Sequence, residues 1–196
     1  KWFTETFKKK DDVALIIKDG DYGQQSETVG FIKLMKKKRN CPKIVYVFKS
    51  LSSPDLASLY RFVAINGAYI HPHRAEALGL PILEAIACGC RVGTTNWGGP
   101  RYTTQGIKTV TLFNYKLSKS YFHNHVKEPF YTKGEFPQWA EPDEDEVKLF
   151  MKNVWKQKYD KDEAETSSKE ILLKYDYKNV AIKVVKVLKD VHRKQS

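Results

Sequence analysis

Four short runs rich in branched apolar residues, "VALIIK" (13–18), "KIVYVF" (43–48), "AYIHP" (68–72) and "RVGTT" (91–95), are separated by stretches with helical periodicity. This alternation constrains the fold more than any other feature, because strands joined through helices run parallel and are covered on their faces. Between the first two runs, Val29, Ile32 and Met35 share one face of a helix expected over about 26–38. "SLSSPDLASLYRFV" then offers a serine cap, Pro54 in the first turn and an inward face of Leu56, Leu59, Tyr60 and Val63. "PILEAIAC", closed by Gly89, reads as a short buried helix. The succession is β-α-β-α-β-α-β, an α/β fold with a parallel sheet sandwiched by helices.

Beyond Gly99 the regularity breaks down. The aromatic and polar stretch 101–146 is too long for an ordinary connector and reads as a structured excursion. Helices return at about 143–155, 162–174 and 177–192, the last carrying Val180, Val184, Val187 and Val191. With 196 residues, 41% of them hydrophobic, and no repeat, low-complexity tract or flexible linker, the economical reading is a single domain over 1–196.

The apolar runs are far too short to cross a bilayer, and the start does not read as a signal peptide, so a cytoplasmic location is expected. Cys41, Cys88 and Cys90 are too few and too close to form a disulfide framework, and reduced thiols fit best. A net charge of +11, from 34 Lys and Arg against 23 Asp and Glu, attracts phosphates without choosing among nucleotide, nucleic acid and membrane.

In "HPHRAEALGLPILEAIACG" (71–89), which follows the third strand, a loop of mixed charges runs directly into an apolar, helix-like stretch. In an open parallel sheet, ligands sit outside the carboxyl ends of strands. Gly79 lets the backbone approach a ligand, and Pro81 suits the first turn of the next helix. That helix start directs free N–H groups and a positive dipole end at the loop, which favours an anion. Glu84, one turn inside, could accept bonds from vicinal hydroxyls such as those of a ribose; Glu76 could do the same for a second polyhydroxylated group. On spacing alone, an exposed loop residue at 76 and a capping or pairing role at 84 explain the two carboxylates as well.

The stretch "LASLYRFVAINGAYIHPHRAEALGLPILEAIACGCRVGTTNWGGP" (56–100) resembles the donor-binding, C-terminal domain of retaining GT-B glycosyltransferases of the group 1, or family 4, class. The signature of that family is two glutamates separated by seven residues, in a setting like "PSRGEGFGLPLLEAMACG". Here Glu76 and Glu84 occupy the glutamate positions, and "GLP.LEA.ACG" matches almost letter for letter. "TNWGGPRYT" and "WAEPDEDEVKLFMKNV" are similar to segments of one subgroup, so the likeness reaches from about residue 1 to 155.

The resemblance implies a Rossmann-like domain and transfer of a sugar from a nucleotide donor, most readily a UDP- or GDP-sugar, with the anomeric configuration retained. Glu84 would bind the donor ribose. Glu76 would contact the transferred sugar and is the candidate catalytic residue. Backbone amides around Ala77, Leu78, Gly79 and Leu80 would hold sugar and diphosphate, while Phe48, Lys49 and Ser50 would border the base.

This chain has His73 where the family usually has serine and Ala77 where it usually has glycine. His73 could alter contacts to the donor sugar, and Arg74 keeps the common arginine. No metal or other cofactor is expected. A GT-B enzyme has two such domains, so the resemblance further implies that a glycan, lipid or protein acceptor is held by an N-terminal domain outside this chain. The chain alone would then bind donor without catalysing transfer. The last helix would cross back to that other domain, leaving apolar surface exposed here.

Three rival readings compete with this one. His71, His73 and Glu76 could ligate zinc, although no further Cys or His pair supports them. Aromatics such as Tyr115, Tyr121, Phe122, Phe130 and Tyr131 among basic residues could make a nucleic-acid-binding module, although no recognised motif accompanies them. A non-catalytic nucleotide-binding descendant of the transferase fold is the third, against which the presence of both glutamates argues.

Overall fold

The computed structural model describes residues 1–20, 25–119 and 138–195. The expected alternation is present. Strand β1 (Ala14–Asp19) leads through helix α2 (Gln25–Lys36) to β2 (Lys43–Phe48), and the two strands pair in parallel from Ala14↔Lys43 to Asp19↔Phe48. Helix α3 (Ser53–Asn66) then leads to β3 (Tyr69–His71), and α4 (Leu80–Ala87) to β4 (Val92–Thr95). A short helix, α1 (Trp2–Thr6), precedes them all.

Together with β5 (Val110–Phe113), these strands form two parallel ladders among the described residues, β1-β2 and β3-β4-β5, with no hydrogen-bonded ladder joining them. Apolar packing connects the two instead. Val13, at the foot of β1, and Ala68 and Ile70, at β3, pack against the cluster of Phe7, Phe113, Val147, Phe150 and Met151.

The helices bury the faces that their periodicity marks. Ile32 and Met35 of α2 join Ile44 in a core cluster, with Val29 half-buried. The Ser52 hydroxyl caps α3 by accepting from the Asp55 N–H at 3.3 Å. In α3, Tyr60 and Ala64 are buried, with Leu56 and Val63 packed beside them. Helix α4 is buried on most sides through Ile82, Leu83, Ala85 and Ile86. Burying such a side chain stabilises by about 1.5–3 kcal/mol relative to exposure, so α4 is anchored firmly although it is too short to be stable alone.

The excursion expected after Gly99 begins later than the sequence suggests. Residues Gly98–Thr103 form α5, and β5 (Val110–Phe113) joins the sheet beside β4, in parallel, from Val92↔Val110 to Thr95↔Phe113. β5 escapes notice because it is four residues long and alternates with threonines, so it never makes a continuous apolar run. Beyond it, β6 (Tyr115–Lys119) and β7 (Gln138–Pro142) pair antiparallel. The aromatics Tyr121, Phe122, Phe130 and Tyr131 lie outside the described residues.

Helix α6 (Glu144–Lys156) starts where Asp143 accepts from the N–H groups of Asp145 and Glu146, at 2.9 and 3.1 Å. α7 (Lys161–Tyr175) packs Ala164, Ser167 and Ile171 inward. α8 (Tyr177–Gln195) is three residues longer at its end than expected, and its apolar side chains from Val180 to Val191 are exposed. Among the described residues no helix is long and apolar enough to cross a membrane.

Candidate functional site

The loop 72–79 leaves the carboxyl end of β3 and feeds α4. Gly79 holds the turn with φ 80° and ψ 47°, a left-handed conformation at which a side chain would be strained. Pro81 follows within the first turn. The Gly79 carbonyl accepts from the N–H groups of Ile82 (2.9 Å) and Leu83 (3.1 Å), and Leu80, at the first helical position, has no intrahelical acceptor within reach. Leu78 and Leu80 are exposed beside this helix start.

Glu76 is half-buried and folded back on its own loop. Its Oε1 accepts from the Gly79 N–H at 3.2 Å, and its Oε2 lies 3.4 Å from His71 Nε2. On the other side, His71 Nδ1 lies 3.1 Å from the Tyr69 hydroxyl. Burial, with Glu84 and Glu76 nearby, pushes the Tyr69 phenol up to about 12, so it stays a hydrogen-bond donor. Burial first, and then His73, lower the His71 pKa, while Glu76 opposes them. A neutral His71 that accepts from Tyr69 presents Nε2–H to the Glu76 carboxylate. The chain Tyr69–His71–Glu76 fixes the first of the two glutamates.

The second is more open. Glu84 is exposed on α4, and its Oε2 is 3.4 Å from the Tyr60 hydroxyl. Burial raises the Tyr60 pKa, with Tyr69 and Glu84 adding to it. Tyr60 is therefore both a core residue and the contact that steadies Glu84.

What sequence reasoning missed is the support beneath the loop. Gly98 and Gly99 pass directly against residues 76–78, and the Gly99 N–H donates to the Glu76 carbonyl at 3.1 Å. A Cβ at Gly98 would stand 2.5 Å from the Glu76 carbonyl oxygen, and one at Gly99 would stand 1.7 Å from that of Ala77. The "GGP" after β4 is therefore a backbone bed that only glycine provides. The signal was in the sequence as a Gly-Gly pair just past a strand, yet what it supports is legible only in three dimensions.

His73 is buried, with Nε2 3.0 Å from the Trp97 carbonyl and Nδ1 3.2 Å from the Thr94 hydroxyl. Thr95 Oγ1 donates to the His73 carbonyl at 2.6 Å, so this residue ties the loop to the end of β4. Arg74 turns the other way. Its Nε meets the Glu141 carboxylate at 2.9 Å, its guanidinium lies 4.9 Å from the Trp139 ring centroid, and its carbonyl accepts from the Ala140 N–H at 2.8 Å. Ala77 is exposed. Phe48 stacks on Tyr46 (6.1 Å) at the end of β2, with Lys49 exposed beyond it. No contact described joins these two to the 72–79 loop. Among the described residues no group of three or more His, Cys, Asp or Glu could hold a metal ion.

An α/β domain with a carboxylate on either side of a helix start that follows a parallel strand sets hydrogen-bond acceptors beside an anion-favouring helix end. The chain belongs to the glycosyl transferases group 1 family, whose family model matches residues 3–125. Among curated proteins it is similar to a sucrose synthase of Solanum tuberosum, 27% identical over 108 residues, covering 51% of this chain and 13% of that one. It is 32% identical over 96 residues to sucrose synthase 2 of Hordeum vulgare, covering 45% and 12%. The likeness to sucrose synthase 1 of Hordeum vulgare is 24% over 163 residues, covering 75% and 19%. The chain thus spans only a small part of the length of these relatives. No solved structure matches it.

Proposed function

We propose that this chain is the donor-binding half of a retaining glycosyltransferase, a single nucleotide-sugar-binding domain of a longer two-domain enzyme acting in the cytoplasm. The observation that carries the reading is the placement of Glu76 and Glu84 on either side of the α4 start, beyond the carboxyl end of β3. The group 1 family match and the sucrose synthase relatives support sugar chemistry at that place.

In this reading the diphosphate of a UDP- or GDP-sugar sits at the amides of Leu78, Gly79 and Leu80, the Gly79 N–H exchanging Glu76 Oε1 for a phosphate oxygen, where the helix dipole balances its charge. Glu84 accepts from the ribose hydroxyls and Glu76 from the transferred sugar, with Ala77 beside it; Phe48 and Lys49 border the base. His73 and Arg74 hold the loop in register. An acceptor hydroxyl, of a glycan, lipid or protein bound by the other domain, approaches on the face from which the nucleoside diphosphate leaves. The new glycosidic bond forms as the sugar–phosphate bond breaks, the hydroxyl proton passes to the departing phosphate side, and the fixed donors stabilise the developing charge. No metal or other cofactor is assigned.

Calorimetric titration of the chain with UDP, GDP, ADP, CDP and dTDP and their sugar conjugates tests this. One nucleoside diphosphate should bind best, and Glu84→Ala should weaken it by about ten- to a hundredfold, as expected for losing hydrogen bonds to a charged acceptor. Glu76→Ala should instead reduce discrimination between sugars on the same nucleotide. Equal affinity of wild type and Glu84→Ala for every nucleotide would overturn the assignment.

A further inference from the structure

Two basic runs that lie apart in the sequence meet at one corner of the fold. Lys-Lys-Lys at 8–10 lies between α1 and β1, and Lys-Lys-Lys-Arg at 36–39 runs from the last residue of α2 toward β2. The Lys9 N–H donates to the Asn40 carbonyl at 3.0 Å, which ties the two loops together. Nearby, the Thr4 hydroxyl of α1 reaches Met35 Sδ of α2 at 3.7 Å. The corner shares no residue with the donor site.

All seven cationic side chains of these runs are exposed. Among the described residues, none of their charged groups makes an ion pair or a hydrogen bond. The neighbouring acids offset them only in part, since Asp11 Oδ2 accepts from the Lys8 backbone N–H at 2.7 Å and Asp12 is exposed. Lysines elsewhere are placed differently. On α6 and α7 they are interspersed with acids and pair one turn away, Lys148 with Glu144 at 2.7 Å and Lys174 with Glu170 at 2.6 Å. Like charges gathered on two linked loops repel one another, and opposite charge outside the chain relieves that repulsion.

The corner also carries apolar surface. Leu34 is 58% exposed and Phe31 47%; three residues apart, they share a face of α2, and Leu34 lies one turn before Lys37 and Lys38. A nucleic acid offers phosphates and base edges, with nothing for an exposed leucine to enter. An anionic bilayer offers both negative headgroups and an apolar layer just beneath them. Six of the seven cations are lysines, point charges that suit a diffuse charged surface, whereas bidentate recognition of single phosphates favours arginine.

We propose that this corner docks the domain on an anionic lipid surface, with the two lysine runs among the headgroups and Leu34 and Phe31 entering between them. Salt screens the attraction of the lysines, while the apolar pair adds a part that salt does not remove.

The test is co-sedimentation of the chain with vesicles of phosphatidylcholine and phosphatidylserine in equal parts, against vesicles of phosphatidylcholine alone. Binding to the mixed vesicles only is expected, and it should weaken as sodium chloride is added. Lys36→Ala, Lys37→Ala and Lys38→Ala combined should reduce the affinity about ten- to a hundredfold, and Leu34→Gln about three- to tenfold. These side chains are exposed, so circular dichroism should show an unchanged fold. Removing three cations elsewhere, with Lys186→Ala, Lys189→Ala and Arg193→Ala on α8, makes the same change in net charge and should leave the affinity unchanged.

Glu84→Ala should sediment with the vesicles as wild type does, so the outcome is independent of the donor reading. Failure to bind the mixed vesicles would overturn the docking surface, as would an equal loss in the α8 variant or full affinity in Leu34→Gln. Binding to polyuridylate that the three lysine substitutions weaken, without binding to the vesicles, would assign the corner to nucleic acid instead.

Discussion

The contact between Gly99 and the Ala77 carbonyl makes the sharpest prediction at the scale of single residues. A methyl group at position 99 would overlap a backbone oxygen, which cannot move without displacing the loop that carries Glu76. Gly99→Ala should cost about 1–3 kcal/mol in urea denaturation, the usual penalty of overpacking. It should also weaken nucleotide binding although it touches no donor atom. Unchanged nucleotide affinity in a folded Gly99→Ala would show that the loop does not depend on its bed. His71 supplies a pH dependence. Its pKa is lowered from 6.5 in the folded chain, so the unfolded chain binds the proton more readily as pH falls. Its contribution is therefore complete above about pH 6.5 and is lost as pH drops through the lower folded value. Urea midpoints between pH 7.5 and 5 should fall less steeply in His71→Gln than in wild type. The glutamate pair stood out in the sequence through its resemblance to a family signature, since spacing alone left a loop residue and a capping or pairing residue as good an account of it. The engagement of Glu76 with His71 and of Glu84 with Tyr60 did not, because the partners come from a strand and a helix that spacing alone cannot bring together.

At the scale of elements, α1 and α6 are joined by a compact set of polar contacts. Glu144 accepts from Trp2 Nε1 at 2.9 Å, and Lys148 bridges Glu144 (2.7 Å) and Glu5 (3.0 Å). The hydrogen bonds from Lys148 and Trp2 hold the Glu144 carboxyl down to about 2. Stability that depends on this carboxylate is present above about pH 4.5 and is lost as pH falls toward 2. The fluorescence of Trp2 should report α1 detaching in that acid range, measured as the difference from Trp2→Phe, and Glu144→Gln should leave only the weaker pH dependence that Glu5, also held down by Lys148, contributes. Helix α4 depends on apolar burial instead. Ile82 is fully buried, so Ile82→Ala should cost about 2–5 kcal/mol in chemical denaturation. Helices α2, α3, α4 and α6 were legible because their apolar residues recur at helical spacing, whereas α5, six residues with two glycines and a proline, was not. β5 was not, since a four-residue strand alternating Val, Thr, Leu and Phe is marked by its neighbours in the sheet more than by its own sequence.

For the molecule as a whole, burial sets one of the three thiols apart from the other two. Cys90 is fully buried, donates to the Tyr60 carbonyl at 3.2 Å, and is pushed up to about 12 by desolvation. Cys41, between α2 and β2, is partly exposed, as is Cys88. Alkylation of the native chain with iodoacetamide, read by peptide mass spectrometry, should modify Cys41 well before Cys90, and labelling of Cys90 at a comparable rate would mean that the core opens readily. The division of the parallel strands into two ladders was not legible in the sequence, where four runs of similar character gave no sign of which edges would pair. The hairpin base at β6-β7 was likewise hidden, since its strands lie on either side of 120–137. Lys119 and Gln138 stand opposite each other in that pair, one strand spacing apart. A short turn engineered to join them directly would therefore span the same gap and keep the register that holds Arg74, Trp139 and Glu141 together.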